Sequence, residues 1–418
     1  MGFIKDAIEE LTWRGFIKDV TDKSIEVKEE KLTVYAGFDP TAPSLHLGNL
    51  IPVAALRVFQ KHGNPVIVIV GGATGRIGDP SGKSKERPIL PEEDLIRNKE
   101  KIEVQIKKLL GKDVPVLDNY EWFKNFGLID FLRDVGKYVS VNRLVKHTFI
   151  NNRLSREEFL SFAEFTYPLL QAFDFLHLYD RFGCKVQIGG SDQWGNIVEG
   201  VELIQRLRRE KVFGVTFPLL TTEDGHKIGK SEGGKKTLWL DESMTSPFDA
   251  YQYFIRLSDS DAIKLFRLFS LSMVKEEVEN IIEEHRQSPE LRKVQKLLAR
   301  EVITWVHGKE AAVECEKLSD FLFSKDPKTN LEDISKRAIS WVATTVAKDE
   351  IKSLQLSDLF MKANLVKSKN EFRSNLMNKG IRVNGRTVVS DMPATELFRN
   401  RSVVIIAKGK QRGIVKME

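Results

Sequence analysis

The segment Pro43-Ser44-Leu45-His46-Leu47-Gly48-Asn49 sets a histidine and an asparagine on either side of a glycine. At a helix N-terminus such a trio offers two polar hydrogen-bonding groups with a side-chain-free surface between them. A flat ring can rest on that surface, and the positive end of the helix faces any phosphates. Taken alone, the pattern serves equally as a histidine capping a helix start. About 180 residues later, Lys227-Ile-Gly-Lys230-Ser231 lies between Gly225 and Gly233-Gly234. Two lysines three apart and a hydroxyl, on a glycine-bounded loop, can neutralise a triphosphate as a pentacovalent phosphate forms. A lone Lys-x-x-Lys is more commonly a solvated surface loop. The third group is Tyr167, Gln171 and Asp174, spaced i, i+4 and i+7 and so on one face of a helix. Their neighbours Leu169, Leu170, Phe173 and Phe175 are apolar, which favours a pocket over solvent. With Tyr35 and Asp79, the set fits a zwitterionic amino acid with a polar far end.

These residues need a scaffold, and the chain supplies one. Val34–Phe38 reads as a strand closed by Gly, Asp and Pro. A largely buried helix follows His46 and ends near His62-Gly63. The run Val66–Val70 (VIVIV) suits a strand covered on both faces. A glycine-rich basic loop from Gly71 to Arg87 leads into a helix through Leu110, and the pattern recurs at Lys185-Val-Gln-Ile, Gly189-Gly-Ser-Asp-Gln-Trp-Gly and an apolar helix. Repeated strand, glycine loop and helix predict an α/β fold with a Rossmann-like parallel sheet and its ligand at the carboxyl ends of the strands. Two common nucleotide motifs fail on spacing. Gly78 to Gly82 leaves three residues where a P-loop has four, and Val70 occupies the first glycine position of a dinucleotide fingerprint.

The 418 residues allow two to four domains at roughly 100–200 residues each. With 41% hydrophobic and 30% charged residues, wholesale disorder is excluded. Cys184 and Cys315 fit a reducing compartment and cannot build a disulfide framework. No apolar run is long enough for a membrane span, and the N-terminus reads as an amphipathic helix, so the cytoplasm is expected. Residues 351–418 carry 14 Lys+Arg and 5 Asp+Glu, while the whole chain is only +6. A basic module beside a near-neutral body suggests a polyanion partner. The expected organisation is a catalytic domain at 1–240, an all-helical domain at 241–325, a linker at 326–350 and a small α+β module at 351–418.

Four segments carry a family resemblance: Val34-Tyr35-Ala-Gly-Phe-Asp39-Pro-Thr41 through His46-Leu-Gly48-Asn49, Gly75-Arg-Ile-Gly-Asp79-Pro-Ser-Gly-Lys83, Gln187-Ile-Gly-Gly-Ser-Asp192-Gln193-Trp194, and Lys227-Ile-Gly-Lys230-Ser231. In this order they resemble the bacterial-type tyrosyl-tRNA synthetases, class I enzymes whose HIGH and KMSKS motifs correspond to the first and last. The tail from Leu356 to Gly385 is similar to an S4-type RNA-binding domain. The resemblance implies that Tyr35 and Asp174 bond a substrate phenol, while Asp79, Tyr167 and Gln171 hold its ammonium group. Thr41 and His46 would meet the γ-phosphate end of ATP, Gly48 and Asn49 the adenosine, and Asp192 the ribose. Asp39, Gly189 and Gln193 would lie along the nucleotide, and Lys83, Arg87, Lys227, Lys230 and Ser231 would neutralise phosphates. Lys367, Lys369, Arg373, Arg382 and Arg386 would contact RNA.

Several positions depart from the family pattern. Asn49 replaces the second histidine of HIGH and can still donate a hydrogen bond. Ala36 stands where Cys is common, and Ile228-Gly229 replace Met-Ser. Ser368-Lys369 stands in for Ser-Arg, keeping the charge but not the bidentate fork. The implied reaction joins L-tyrosine to ATP, taken with Mg²⁺, and passes the tyrosyl group to tRNA(Tyr), with no tightly bound cofactor, no dedicated metal site and a homodimeric assembly. A tryptophanyl enzyme shares the fold, but Tyr35 with Asp174 argues for a phenol. A non-catalytic RNA-binding paralogue is the alternative of a different class. Because the substrate carboxylate is the nucleophile, rate comes from positioning and charge. Lys230→Ala is expected to lower the activation rate while tyrosine affinity, measured by equilibrium titration, stays nearly unchanged; equal losses in both would contradict this.

Overall fold

Five consecutive β-branched residues leave little room for a surface strand, and Val66–Val70 is buried along its whole length. The computed structural model describes residues 2–81, 89–221, 237–324 and 329–418, which fall into two compact units. The first comprises residues 1–244 and 258–298, the second residues 245–257 and 299–418.

In the first unit, β1 (Asp19–Val20), β2 (Thr33–Phe38), β3 (Val66–Val70), β4 (Val116–Asp118), β5 (Cys184–Gly190) and β6 (Phe213–Phe217) form one sheet in the order β1-β6-β5-β2-β3-β4. All pairings are parallel except the antiparallel edge of β1 on β6. The chain runs outward from β2 to β3 and β4 on one side and through β5 and β6 on the other. The crevice therefore opens between the carboxyl ends of β2 and β5, the switch point of a doubly wound sheet. Cys184 is buried in the core with Tyr35, Ile67, Phe175 and Leu203.

Helix Phe162–Phe182 lies against this sheet and carries the predicted polar stripe. Its start is set by Ser161, whose Oγ accepts the Glu164 N–H at 3.2 Å. Gly183, at φ 61°, ends it in the left-handed conformation. The Glu164 carboxylate is itself buried, and Arg153 donates to it at 2.8 Å and to the Phe159 carbonyl at 2.7 Å.

The stretch 241–325 is helical where described, as Pro247–Ile255, Asp259–Phe269, Lys275–Gln287, Lys293–His307 and Lys309–Phe323, but it is not a body of its own. Residues 258–298 join the first unit because the buried guanidinium of Arg14 donates to the carbonyls of Arg267, Ser270 and Met273. Residues 245–257 join the second, where Phe248 stacks on Phe323.

The second unit holds a five-stranded sheet of β7 (Thr344–Val346), β8 (Ile381–Val383), β9 (Arg386–Thr387), β10 (Val403–Lys408) and β11 (Gln411–Met417), in the order β7-β11-β10-β8-β9. The expected linker at 326–350 therefore needs correction. It contributes helix Lys336–Val342 and strand β7, which pairs in parallel with β11. The reason is that the β10–β11 hairpin leaves an open edge, and three β-branched residues cover it. Asn384 and Gly385 turn β8 into β9 with positive φ at both positions, as the Asn-Gly pair predicts. Leu356–Lys362 and Lys369–Met377 are two short helices of this module, packed through Leu359, Phe360 and Phe372 on the sheet.

Breaking the Arg153–Glu164 pair on one side leaves a buried carboxylate without its cation. Arg153→Met is expected to cost about 3–5 kcal/mol in urea unfolding, and adding Glu164→Leu should recover most of that loss.

Candidate active site

Where β2 runs out, Asp39 becomes the first anchor of the crevice. Its Oδ2 accepts the Tyr167 hydroxyl at 2.8 Å and its Oδ1 the Thr74 hydroxyl at 2.7 Å. Gly71 is required for this approach, since a Cβ there would fall 2.1 Å from Asp39 Oδ1. Because Tyr167 donates to Asp39, its oxygen faces the cavity as an acceptor. Burial, with the Asp39 and Asp79 carboxylates beside it, raises the Tyr167 phenol well above its ordinary value and keeps that proton in place.

A second chain of hydrogen bonds runs along the amino side of the cavity. Gln193 Nε2 donates to Asp79 Oδ2 at 2.7 Å, and Asn196 Nδ2 donates to Gln171 Oε1 at 3.0 Å and to Gln193 Oε1 at 3.3 Å. Carboxylate, amide and phenol oxygens thus converge on this side of the cavity. That arrangement suits a primary ammonium group.

The deep end is built by Tyr35, Asp174 and Gln187. Asp174 accepts from Asn119 Nδ2 at 3.0 Å and from Trp122 Nε1 at 2.8 Å. The Tyr35 hydroxyl and Gln187 Oε1 are buried and have no hydrogen-bond partner among the described residues. Two buried polar atoms left unpaired in an otherwise apolar wall call for a ligand that can bond to them. Burial pushes the Asp174 carboxyl up to about 8; the Asn119 and Trp122 donors pull against that, and the Asp39 and Asp118 charges add to it.

At the mouth, His46 caps the turn Leu47–Asn49. Its Nδ1 accepts the Asn49 N–H at 3.3 Å, while Asn49 Oδ1 accepts the His46 N–H at 3.0 Å. The capping role is therefore real. With Nδ1 assigned as acceptor, the ring hydrogen belongs on Nε2, which becomes a donor. A Cβ on Gly48 would come within 2.9 Å of the imidazole, so only glycine keeps that ring in place.

Apart from Asn119, Trp122 and Asn196, which stand behind the wall, these groups line one cavity of about 460 Å³, a size suited to a small substrate with a nucleotide. Tyr35, Asp39, Thr41, His46, Gly48, Asn49 and Asp79 reach it from β2, the turns after it and the glycine loop. Tyr167, Gln171, Asp174, Gly189, Asp192 and Gln193 reach it from the long helix and from β5 and the turn that follows. Lys83, Arg87, Lys227, Lys230 and Ser231 lie outside the described residues. Lys367, Lys369, Arg373, Arg382 and Arg386 are all exposed on the second unit, and Lys369 pairs with Asp358 at 2.9 Å.

Comparison with known proteins agrees with this geometry. The family of class I tRNA synthetases (W and Y) matches residues 27–324. The tyrosine–tRNA ligase of Bacteroides thetaiotaomicron is 43% identical over 393 residues, 90% of this chain and 91% of its own. That of Bacillus caldotenax is 41% identical over 97% of this chain and 98% of its own. The chain belongs to the tyrosine–tRNA ligase family. Among solved structures, a C-terminally truncated mitochondrial tyrosyl-tRNA synthetase of Aspergillus nidulans superposes with a TM-score of 0.67. It is 33% identical and covers 74% of this chain and 92% of its own.

For a member of the tyrosine–tRNA ligase family, the motifs left several cavity groups unread. Gln187 had a signal of its own, a polar residue inside a buried strand. Thr74, Asn119 and Trp122 had none, because they act through Asp39 and Asp174 and belong to no pattern in the chain.

The raised Asp174 carboxyl has a consequence for stability. Its folded-state value of about 8 lies above the ordinary value of 3.8, so the native state holds a proton that the unfolded chain releases. The stability this proton contributes is present at low pH and is lost as pH rises through about 8. Asp174→Asn, which cannot ionise, is expected to show a flatter decline of urea midpoint between about pH 4 and pH 8 than the unmodified chain.

Proposed function

We propose that the cavity makes tyrosyl-adenylate from L-tyrosine and ATP and that the chain then esterifies tRNA(Tyr) with the tyrosyl group. The carrying observation is the pair of unsatisfied polar atoms, Tyr35 Oη and Gln187 Oε1, beside the Asp174 carboxyl at the closed end of the cavity. A phenol hydroxyl entering there can both donate and accept, and phenylalanine would leave these groups unpaired. A discrimination of about 10⁵ between the two amino acids is known for tyrosyl-tRNA synthetases, and this chemistry accounts for its sign.

In this reading Asp79, Tyr167 and Gln171 hold the ammonium group and turn the carboxylate toward the nucleotide. ATP enters as its Mg²⁺ complex, with adenosine against Gly48 and Asn49, ribose at Asp192 and the outer phosphates toward Thr41 and His46. Attack of the carboxylate oxygen on the α-phosphorus forms the acyl–phosphate bond as the bond to the bridging oxygen breaks and pyrophosphate leaves. His46 Nε2–H and the lysines Lys83, Lys227 and Lys230 neutralise charge on the departing phosphates. The ribose hydroxyl of the tRNA terminus then attacks the acyl carbon and AMP departs.

The exposed lysines and arginines of the second unit give tRNA a salt-sensitive surface. Leu128, Ile129, Phe159 and Phe162, each about 70% exposed or more, support a homodimer that covers this segment. Among the described residues no helix is long and apolar enough to cross a membrane. A reaction that supplies ribosomes fits the cytoplasm expected from the sequence.

Amino-acid-dependent ATP–pyrophosphate exchange without tRNA tests the reading directly. Exchange with tyrosine, and neither with phenylalanine nor with tryptophan, is the expected outcome. Exchange with none of the three would favour an RNA-binding paralogue.

A further inference from the structure

We infer that Gln105 is a positioning residue for His46, acting through Ser44 and the backbone of Leu45. This rests on the proposed role of His46 in adenylate formation. Gln105 projects from helix Glu92–Leu110, and its amide grips the turn at two points. Oε1 accepts the Leu45 N–H at 2.8 Å, and Nε2 donates to Ser44 Oγ at 3.1 Å. Ser44 is buried and its hydroxyl is saturated. It donates to the Leu45 carbonyl at 2.7 Å and accepts from both Gln105 and the Asp241 N–H, the latter at 3.1 Å.

The far side of the same turn is bound as tightly. Leu240 N–H donates to the Leu45 carbonyl at 2.8 Å, and Leu47 N–H donates to the Leu238 carbonyl at 3.0 Å. His46 thus sits in a one-residue antiparallel bridge with Trp239, the two rings 6.1 Å apart. The imidazole is held between two polypeptide segments whose common fastening is the Ser44 hydroxyl, and Gln105 orients that hydroxyl. On the same helix face, Asn98 Nδ2 donates to the Pro40 carbonyl at 3.2 Å, one residue before Thr41. One helix therefore fixes both ends of the loop that brings Thr41 and His46 to the nucleotide, without itself offering either amide to the substrate.

A displaced donor loses transition-state stabilisation while substrate binding at the far end of the cavity is spared. Gln105→Met keeps the volume and removes both polar ends. It is expected to lower kcat for tyrosine-dependent pyrophosphate exchange by about tenfold to a hundredfold, with KM for tyrosine within about twofold of the unmodified enzyme. Gln105→Glu retains the acceptor for Leu45 N–H and should recover part of the loss. On a His46→Ala background, Gln105→Met should cost almost nothing further, since its effect runs through the imidazole.

A wild-type kcat in Gln105→Met, a rise in tyrosine KM with kcat unchanged, or an additive loss on the His46→Ala background would each overturn the inference. Should Gln105→Met not fold, Ser44→Ala and Gln105→Glu carry the same comparison. Absence of exchange in the unmodified enzyme would instead refute the proposed function, so the two failures are distinct.

Discussion

A carboxylate half-buried at the end of a strand needs its oxygens occupied, and Asp39 meets that demand with the hydroxyls of Tyr167 and Thr74. From this one requirement much of the crevice follows. Tyr167 must turn its hydrogen inward, and its oxygen is then left to receive a hydrogen bond from a substrate. Thr74 must lie against the glycine loop, and Gly71 must lack a side chain. Thr74 in turn accepts from Asn119 at 3.1 Å, and Asn119 reaches Asp174 with the same amide nitrogen. The carboxylates of Asp39 and Asp174 are therefore linked through a hydroxyl and an amide. Changing either end repolarises the other.

The same economy appears at His46, where a local structural need and a chemical one coincide. Capping the short turn through Nδ1 leaves the other nitrogen carrying hydrogen, so the helix start and the phosphate donor are set by one contact. Asn49 completes the cap with its Oδ1, which keeps its amide hydrogens for a ligand. A histidine at that position would have to satisfy the His46 N–H from a ring nitrogen instead. The departure from the family motif thus maintains the cap.

Much of this was legible along the chain. VIVIV could only be a covered strand, and the i, i+4, i+7 spacing of Tyr167, Gln171 and Asp174 placed three polar groups on one helix face. Residues that act on other residues were not legible. Asn119 and Trp122 follow β4 in a turn and the one-turn helix Tyr120–Phe123, with no motif, and their importance arises only because the fold carries them to Asp174. Strand β7 was missed because three residues have no periodicity to read. The helices of 241–325 were plain from their pattern, but which unit each would join depends on partners far away in the sequence, Arg14 for one group and Phe323 against Phe248 for the other. Pattern shows what a segment is; long-range partners decide where it goes.

Both sheets share a topological habit. In each, the first strand made pairs with the last: β1 with β6 in the larger sheet, and β7 with β11, about 70 residues on, in the smaller. During synthesis neither sheet can seal that edge until its final strand has left the ribosome. A nascent chain halted a few residues short of β11 would expose the flank of β10 and leave Thr344–Val346 with nothing to join. A hazardous moment for the second unit therefore falls just before β11 emerges, when exposed strand edges invite association with neighbouring nascent chains.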